Sequence, residues 1–266
     1  MPRSIWKGAV SFGLVTIPVK VYGATQEKDI SFRQVHAVDN GRVRYKRVCE
    51  VCGEEVPYGE IAKGYEAADG RMAVLTDEDF ADLPAAQGKA VEVVQFVAVD
   101  DIDPTYFDRT YFLEPEKSGN KPYILLRQAL AESGKAAVVK VALRSRESLA
   151  LIRPVGDVLR LHTMIWPDEL RDDEFAAPTE EVKVSEAEVG MARMFIDQLS
   201  GDWDPDQFSD NYREALEKVI EAKLEGIELP DVAEGTPTGG QVVDLVEALR
   251  ASVEAAKARR AQAAAS

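Results

Sequence analysis

The sequence predicts an α+β chain, mainly β, on three observations. Its first two thirds hold β-rich segments separated by turn signals. Gly156-Asp157 stands between two apolar runs. After Pro167 the apolar spacing changes from strand-like to helical. With 266 residues and 45% apolar content, the chain can bury a sizeable core in one or two domains.

The first apolar stretch, Ala9 to Val19, follows Arg3 and Lys7 and loosely resembles a signal peptide. Pro18 and Lys20 interrupt it and no small-x-small cleavage pattern follows. It is read as a strand entering the core, so a cytoplasmic, nucleoid-associated protein is expected. No apolar run reaches the ~18 residues of a membrane span. Strands are expected over Val19 to Thr25, Arg42 to Val48, Met72 to Thr76, Val91 to Val99, Arg109 to Glu114 and Ala137 to Leu143. Leu149 to Val155 and Val158 to Trp166 form a hairpin about Gly156-Asp157.

Helices punctuate the strands. Thr76 with Asp79 is a capping signal ahead of Phe80. Pro122 suits the first turn of a helix that runs through Leu130 and stops at Gly134. Asp168 to Glu188 is acidic, a solvated connecting face. Ser185 and Glu188 form a capping box before a helix that places Met191, Met194, Phe195 and Leu199 on one side. Asp204-Pro205 opens another helical region, with Tyr212, Leu216, Val219 and Ile220 at helical spacing, ending at Gly226. Leu229 to Gly240 is a Pro/Gly linker. Beyond it Val242, Val246, Leu249 and Val253 stripe one more helix, which either folds back on the body or docks on another protein.

No phosphate loop, nucleophile elbow or His-Glu-x-x-His stands in the sequence. The two histidines are His36 and His162, and His162 in an apolar strand reads as a core residue rather than a base. Nothing in the spacing of the carboxylates singles out an acid–base pair. A non-catalytic chain is expected, with no cofactor required.

Net charge is −15, the wrong sign for a nucleic-acid binder. Its distribution is uneven. Met1 to Arg47 carries nine basic and three acidic residues, a net of +6, which leaves −21 for the rest. Arg42, Arg44 and Lys46 alternate, so on a strand they share one face about 6–7 Å apart. Arg33, Arg47, Lys7 and Lys20 flank them. Evenly spaced cations suit a phosphate backbone and give affinity without sequence readout. For Lys7 and Lys20 an ordinary solvated charge is an equal reading. A protein-interaction scaffold without DNA affinity is what −15 alone favours, and the Arg42 to Arg47 cluster discriminates the two.

The only cysteines, Cys49 and Cys52, are too close to staple a secreted framework. With Gly53 they look like half a zinc knuckle, and reduced thiols without metal are the other reading. A closed zinc site takes four ligands. A symmetric dimer would supply four thiolates if the turn met its two-fold axis, and His36 is a further candidate ligand.

The run from Ser4-Ile-Trp-Lys-Gly-Ala-Val-Ser-Phe-Gly-Leu-Val to Tyr22 resembles the start of bacterial Ku proteins. Phe32-Arg-Gln-Val-His36, Asn40-Gly-Arg-Val-Arg-Tyr-Lys-Arg-Val-Cys-Glu-Val-Cys-Gly53, Lys63-Gly-Tyr-Glu66, Tyr111-Phe-Leu-Glu-Pro115, Lys121-Pro-Tyr123 and Trp166-Pro-Asp-Glu-Leu-Arg171 extend the resemblance in order. It implies a central antiparallel β-barrel with bridge strands that encircle DNA and a C-terminal helical arm. It implies a ring-shaped homodimer on double-stranded DNA ends that recruits the multifunctional end-joining ligase, ligase D, in non-homologous end joining. On this resemblance the N-terminal α/β domain of the eukaryotic relatives is not expected. On this reading residues 1–183 are barrel and bridge, 184–228 the dimer-contacting arm, 229–240 a linker, and 241–266 a helix and tail for ligase recruitment. Lys257, Arg259 and Arg260 end a short, alanine-rich tail, so DNA binding through it is not expected to match that of family members with long lysine-rich tails.

Overall fold

A computed structural model of the chain describes residues 2–81, 83, 90–143, 146–179 and 182–226. The expected linker, the helix carrying Val242 to Val253 and the basic end at Lys257 lie outside the described residues. The chain divides into two compact units, Met1–Asp172 and Asp173–Ser266.

The first unit is built on a closed barrel. The stretch around Ala9 to Val19 is a hairpin: β1 (Trp6–Phe12) turns at Gly13-Leu14 into β2 (Val15–Gly23). Strict alternation puts Val10, Ile17, Val19 and Val21 in the interior. Then follow β3 (Lys63–Glu66), β4 (Met72–Leu75), β5 (Ala90–Ala98), β6 (Phe107–Pro115), β7 (Lys135–Leu143), β8 (Arg146–Val155) and β9 (Val158–Met164). The barrel order is β1-β2-β6-β9-β8-β7-β5, and β3-β4 form a separate two-stranded sheet. The barrel pairings are antiparallel except the one that closes it. There β1 meets β5 in parallel, from Ala9↔Ala90 to Ser11↔Glu92. Closure leaves no sheet edge.

Helix α1 (Asp77–Ala81) starts where Thr76 donates its N–H and its hydroxyl to Asp79 Oδ2, at 2.7 and 2.9 Å. Helix α2 (Asn120–Ser133) ends at Gly134, as its spacing predicts. Tyr123, Leu126 and Leu130 lie three and four residues apart, so one stripe faces inward and joins the barrel core with Leu113, Ile152, Leu159 and Leu161. The Tyr123 hydroxyl accepts from Leu159 N–H (2.6 Å) and donates to the Leu113 carbonyl (2.8 Å). It thereby bridges β6 and β9 where those two residues face each other, and burial pushes its phenol up. The approach to α2 is tight. A Cβ on Gly119 would stand 2.9 Å from the Pro18 carbonyl oxygen, so only glycine fits.

The wall β7-β8-β9 is buried on both faces. Ala136, Val138, Leu151 and Met164 point away from the interior and are covered by Val97, Val99, Ile102, Tyr106 and Phe107. That explains why Lys135 to Leu143 reads as a nearly continuous apolar run.

The second unit holds α3 (Glu186–Leu199) and α4 (Asn211–Glu225). The capping box at α3 is formed: Ser185 Oγ accepts from Glu188 N–H (3.3 Å) and Glu188 Oε2 accepts from Ser185 N–H (2.7 Å). Asp204-Pro205 does not open the second helix as expected. Asp204 caps a single 3₁₀ turn, Pro205–Gln207, and Phe208 then stacks on Trp203 at 5.2 Å. The helix begins after Asp210, whose carboxylate takes the N–H of Arg213 at 2.9 Å. Helix α3 buries none of its residues, and Met194 and Leu199 are exposed.

Candidate nucleic-acid interface

Two groups of expected cations lie on different parts of the first unit. Lys7 and Lys20 stand on the outer wall of the barrel, because Val10 and Val19 claim the inner face. They are direct cross-strand partners. Like charges opposite each other repel. Lys20 Nζ is 3.5 Å from Glu114 Oε2 on the next strand. Glu114 also accepts the Tyr22 hydroxyl, and that bond lowers the carboxyl and raises the phenol.

The same outer wall carries two cations the sequence reading did not select. Arg153 and Arg160 face each other across β8 and β9. Arg160 lies 5.7 Å over the Phe112 ring and is paired in register with Phe112. The signal was present: counting outward from the Gly156-Asp157 turn pairs residue 155 with 158 and residue 153 with 160. Across five neighbouring strands the wall therefore carries Lys7, Lys20, Arg160 and Arg153 against Glu114.

The other group sits on the long excursion between β2 and β5. The turn from His36 to Gly41 is closed by His36 N–H on the Gly41 carbonyl and Asn40 N–H on the His36 carbonyl, both 2.8 Å. Asn40 adopts φ 57°. Asp39 accepts the Gly41 N–H at 2.8 Å and faces His36 Nδ1 at 3.1 Å, which together hold its carboxyl below the usual range. Arg42 to Val48 is not the expected strand. It has only two isolated bridges, Val35↔Arg42 and Val48↔Glu55. The flanking turns consume its backbone partners locally, and Arg and Lys side chains add little strand propensity. Arg33, Arg42, Arg44, Lys46 and Arg47 are all exposed. Lys46 pairs with Glu55 at 2.6 Å and Arg47 lies 5.2 Å over Tyr58. Among the described residues, Arg33, Arg42 and Arg44 have no carboxylate within ion-pair distance. No hydrogen bond, ion pair or strand pairing among the described residues joins these cations to Lys7 and Lys20.

None of the described residues of the excursion is buried. Phe32, Tyr45, Val51, Tyr58 and Tyr65 are each at least 66% exposed.

Cys49 and Cys52 border a second turn. Gly53 N–H donates to the Cys49 carbonyl (2.8 Å), Cys49 N–H to the Glu54 carbonyl (2.9 Å), and Gly53 adopts φ 72°. The amides of Cys52 and then Val51 point at the Cys49 sulfur and hold its thiol below the ordinary thiol range. His36 is held in its own turn by Asp39. Among the described residues no group of three or more His, Cys, Asp or Glu could hold a metal ion.

His162 is a wall residue with both ring nitrogens in use. Arg153 Nε donates to Nε2 (3.1 Å), so Nδ1 carries the proton and donates to Thr110 Oγ1 (3.0 Å). The Phe107 ring is 5.5 Å away. Burial, then Arg153 and Arg160, push its pKa down. The unfolded chain, with an ordinary value of about 6.5, therefore takes up the proton first. This contribution is complete above pH ~6.5 and is lost as pH falls below it towards the depressed folded value. Thermal melts from about pH 7.5 to 5.5 are expected to show a falling Tm, with a shallower slope in His162→Asn. Equal slopes would remove His162 as the cause.

Residues 11–191 match the family model described as the Ku70/Ku80 beta-barrel domain. Curated relatives include a "Non-homologous end joining protein Ku" of Frankia casuarinae, 51% identical over 97% of this chain and 65% of its own length. Proteins with the same description from Mycolicibacterium smegmatis and Mycobacterium tuberculosis are 46% and 45% identical, over 96% and 95% of this chain and 83% and 95% of theirs. The chain thus spans less than two thirds of the Frankia relative and nearly all of the Mycobacterium tuberculosis one. No described helix is long and apolar enough to cross a membrane.

Proposed function

The chain belongs to the Ku family, and on that premise we propose that it binds the ends of double-stranded DNA in non-homologous end joining. It does so without catalysis, as a homodimer whose two excursions close a ring around the duplex. The observation that carries this reading is the set of exposed cations Arg33, Arg42 and Arg44, which have no ion-pair partner among the described residues, on an excursion none of whose described residues is buried. Phosphates would satisfy the cations, and a second subunit would cover the apolar side chains. Lys46 and Arg47 extend this patch, while Lys7 and Lys20, with Arg153 and Arg160, offer a second one on the barrel wall. Such contacts read no sequence, as an end binder requires. The remaining acidic surface would keep DNA from sticking elsewhere.

On this reading residues 1–183 form barrel and bridge and residues 184–228 a helical arm for the dimer. Residues 229–240 link it to a C-terminal segment, 241–266, that recruits ligase D. The exposed apolar side chains of α3 and α4, among them Met194, Leu199 and Tyr212, support the arm's role.

A gel shift comparing linear and covalently closed circular duplex of one sequence, at ~0.1 M salt and again higher, tests the ring. The expected result is binding that needs a free end, ignores sequence and weakens with salt. Equal binding to both forms would mean a groove binder, and binding to neither would leave the protein-scaffold reading that a net charge of −15 favours.

A further inference from the structure

We propose that Cys49 and Cys52 are one half of a tetrahedral zinc site, completed by the same two cysteines of a second copy of this chain across a two-fold axis. The inference rests on the homodimer reading.

The donor chemistry comes first. Closed structural zinc sites are built from four thiolate or imidazole ligands. The whole sequence holds only Cys49, Cys52, His36 and His162 of those types. His162 has both ring nitrogens engaged on the barrel wall. His36 faces Asp39 in a different turn and joins no three-ligand group with the cysteines among the described residues. One chain therefore offers two thiolates and no more. An isologous contact doubles whatever lies at its axis, so two thiolates become four.

The geometry of the turn supplies the second argument. Val48↔Glu55, Cys49 N–H to the Glu54 carbonyl, Val56 N–H to the Arg47 carbonyl (2.8 Å) and Gly53 N–H to the Cys49 carbonyl tie a tight loop about two sulfurs three residues apart. Gly53 at φ 72° makes the reversal available without strain.

What surrounds the turn supplies the third. Val51 at its tip is 95% exposed and Val48 is 58% exposed. A second copy placed on the same turn covers both valines and closes the coordination sphere in one contact.

The test uses the full chain, purified without a metal-binding tag from zinc-supplemented growth. Zinc is measured by elemental analysis, free thiols by titration, and mass by sedimentation. The expected result is one zinc ion per two chains, with thiols that react only after chelation. Cobalt exchanged into the site is expected to give the ligand-field absorption of a tetrahedral thiolate centre. Cys52→Ser is expected to lose the metal while keeping the far-UV spectrum of the barrel. A dimer without zinc and with freely reactive thiols, or with a Cys49–Cys52 disulfide, overturns the site and leaves the dimer standing. A monomer overturns the dimer reading and the shared site with it. One zinc per chain overturns the sharing.

Discussion

Replacing Arg42 and Arg44 together by glutamate is expected to abolish end binding at ~0.1 M salt while leaving the dimer mass unchanged. Both side chains are exposed, and neither has an ion-pair partner among the described residues, so no fold contact is lost with them. The alanine pair gives the graded version. Each phosphate contact contributes about −0.9 to the slope of log affinity against log salt. Losing two should flatten that slope by about 2 and weaken binding roughly 10–100-fold at ~0.1 M salt. Lys46 and Arg47 are expected to matter less singly, because Glu55 and Tyr58 already engage them. A salt titration of the double alanine variant that kept the wild-type slope would show that the phosphates lie elsewhere, with the barrel-wall row of Lys7, Lys20, Arg153 and Arg160 as the next candidate.

Leu161→Ala is expected to cost about 2–5 kcal/mol, the usual range for emptying a fully packed leucine site. Leu161 is 0% exposed, in the barrel interior on β9, between Tyr111 of β6 and Ile152 of β8. In a closed barrel the walls are held by their ladders and cannot collapse into the void, which places the cost towards the upper end. At roughly 2–4 °C per kcal/mol this amounts to a fall in Tm of about 5–20 °C. Leu14→Ala is the control. Leu14 is fully exposed at the β1–β2 turn, and its truncation is expected to stay within about 0.5 kcal/mol. Calorimetry of the two variants side by side checks both. A loss below about 1 kcal/mol at Leu161 would contradict the packed interior.

The strands and caps were legible because their signals are local. β-rich composition between turn signals marked most of the barrel strands, and the Gly156-Asp157 turn set the β8–β9 register. The Thr76/Asp79 and Ser185/Glu188 pairs marked their helix starts through bonds spanning three residues. The same hairpin register placed Arg153 opposite Arg160, although which face they share depends on which neighbours fill the interior. The Cys49-x-x-Cys52-Gly53 spacing marked its turn for the same reason.

Other features depended on contacts between distant parts of the chain. The parallel β1–β5 pairing joins residues about 80 positions apart and turns a sheet into a barrel, and no local pattern encodes that closure. Arg42 to Val48 has strand-like alternation, but its backbone pairs only with the adjoining turn segments around Val35 and Glu55, so it remains two isolated bridges. The separation of the arginines on the excursion from the lysines on the barrel wall is likewise tertiary, since charge counting along the sequence had placed them together. By itself the sequence determined most of the elements, their order and the residue types available for phosphate or zinc, because periodicity, capping and turn chemistry act over a few residues; it did not mark β3 and made a strand of Arg42 to Val48. Only the tertiary structure decided which faces are buried and, among the described residues, which cations lack an ion-pair partner and that the two cysteines join no third ligand, because each of these depends on which distant groups share the same space.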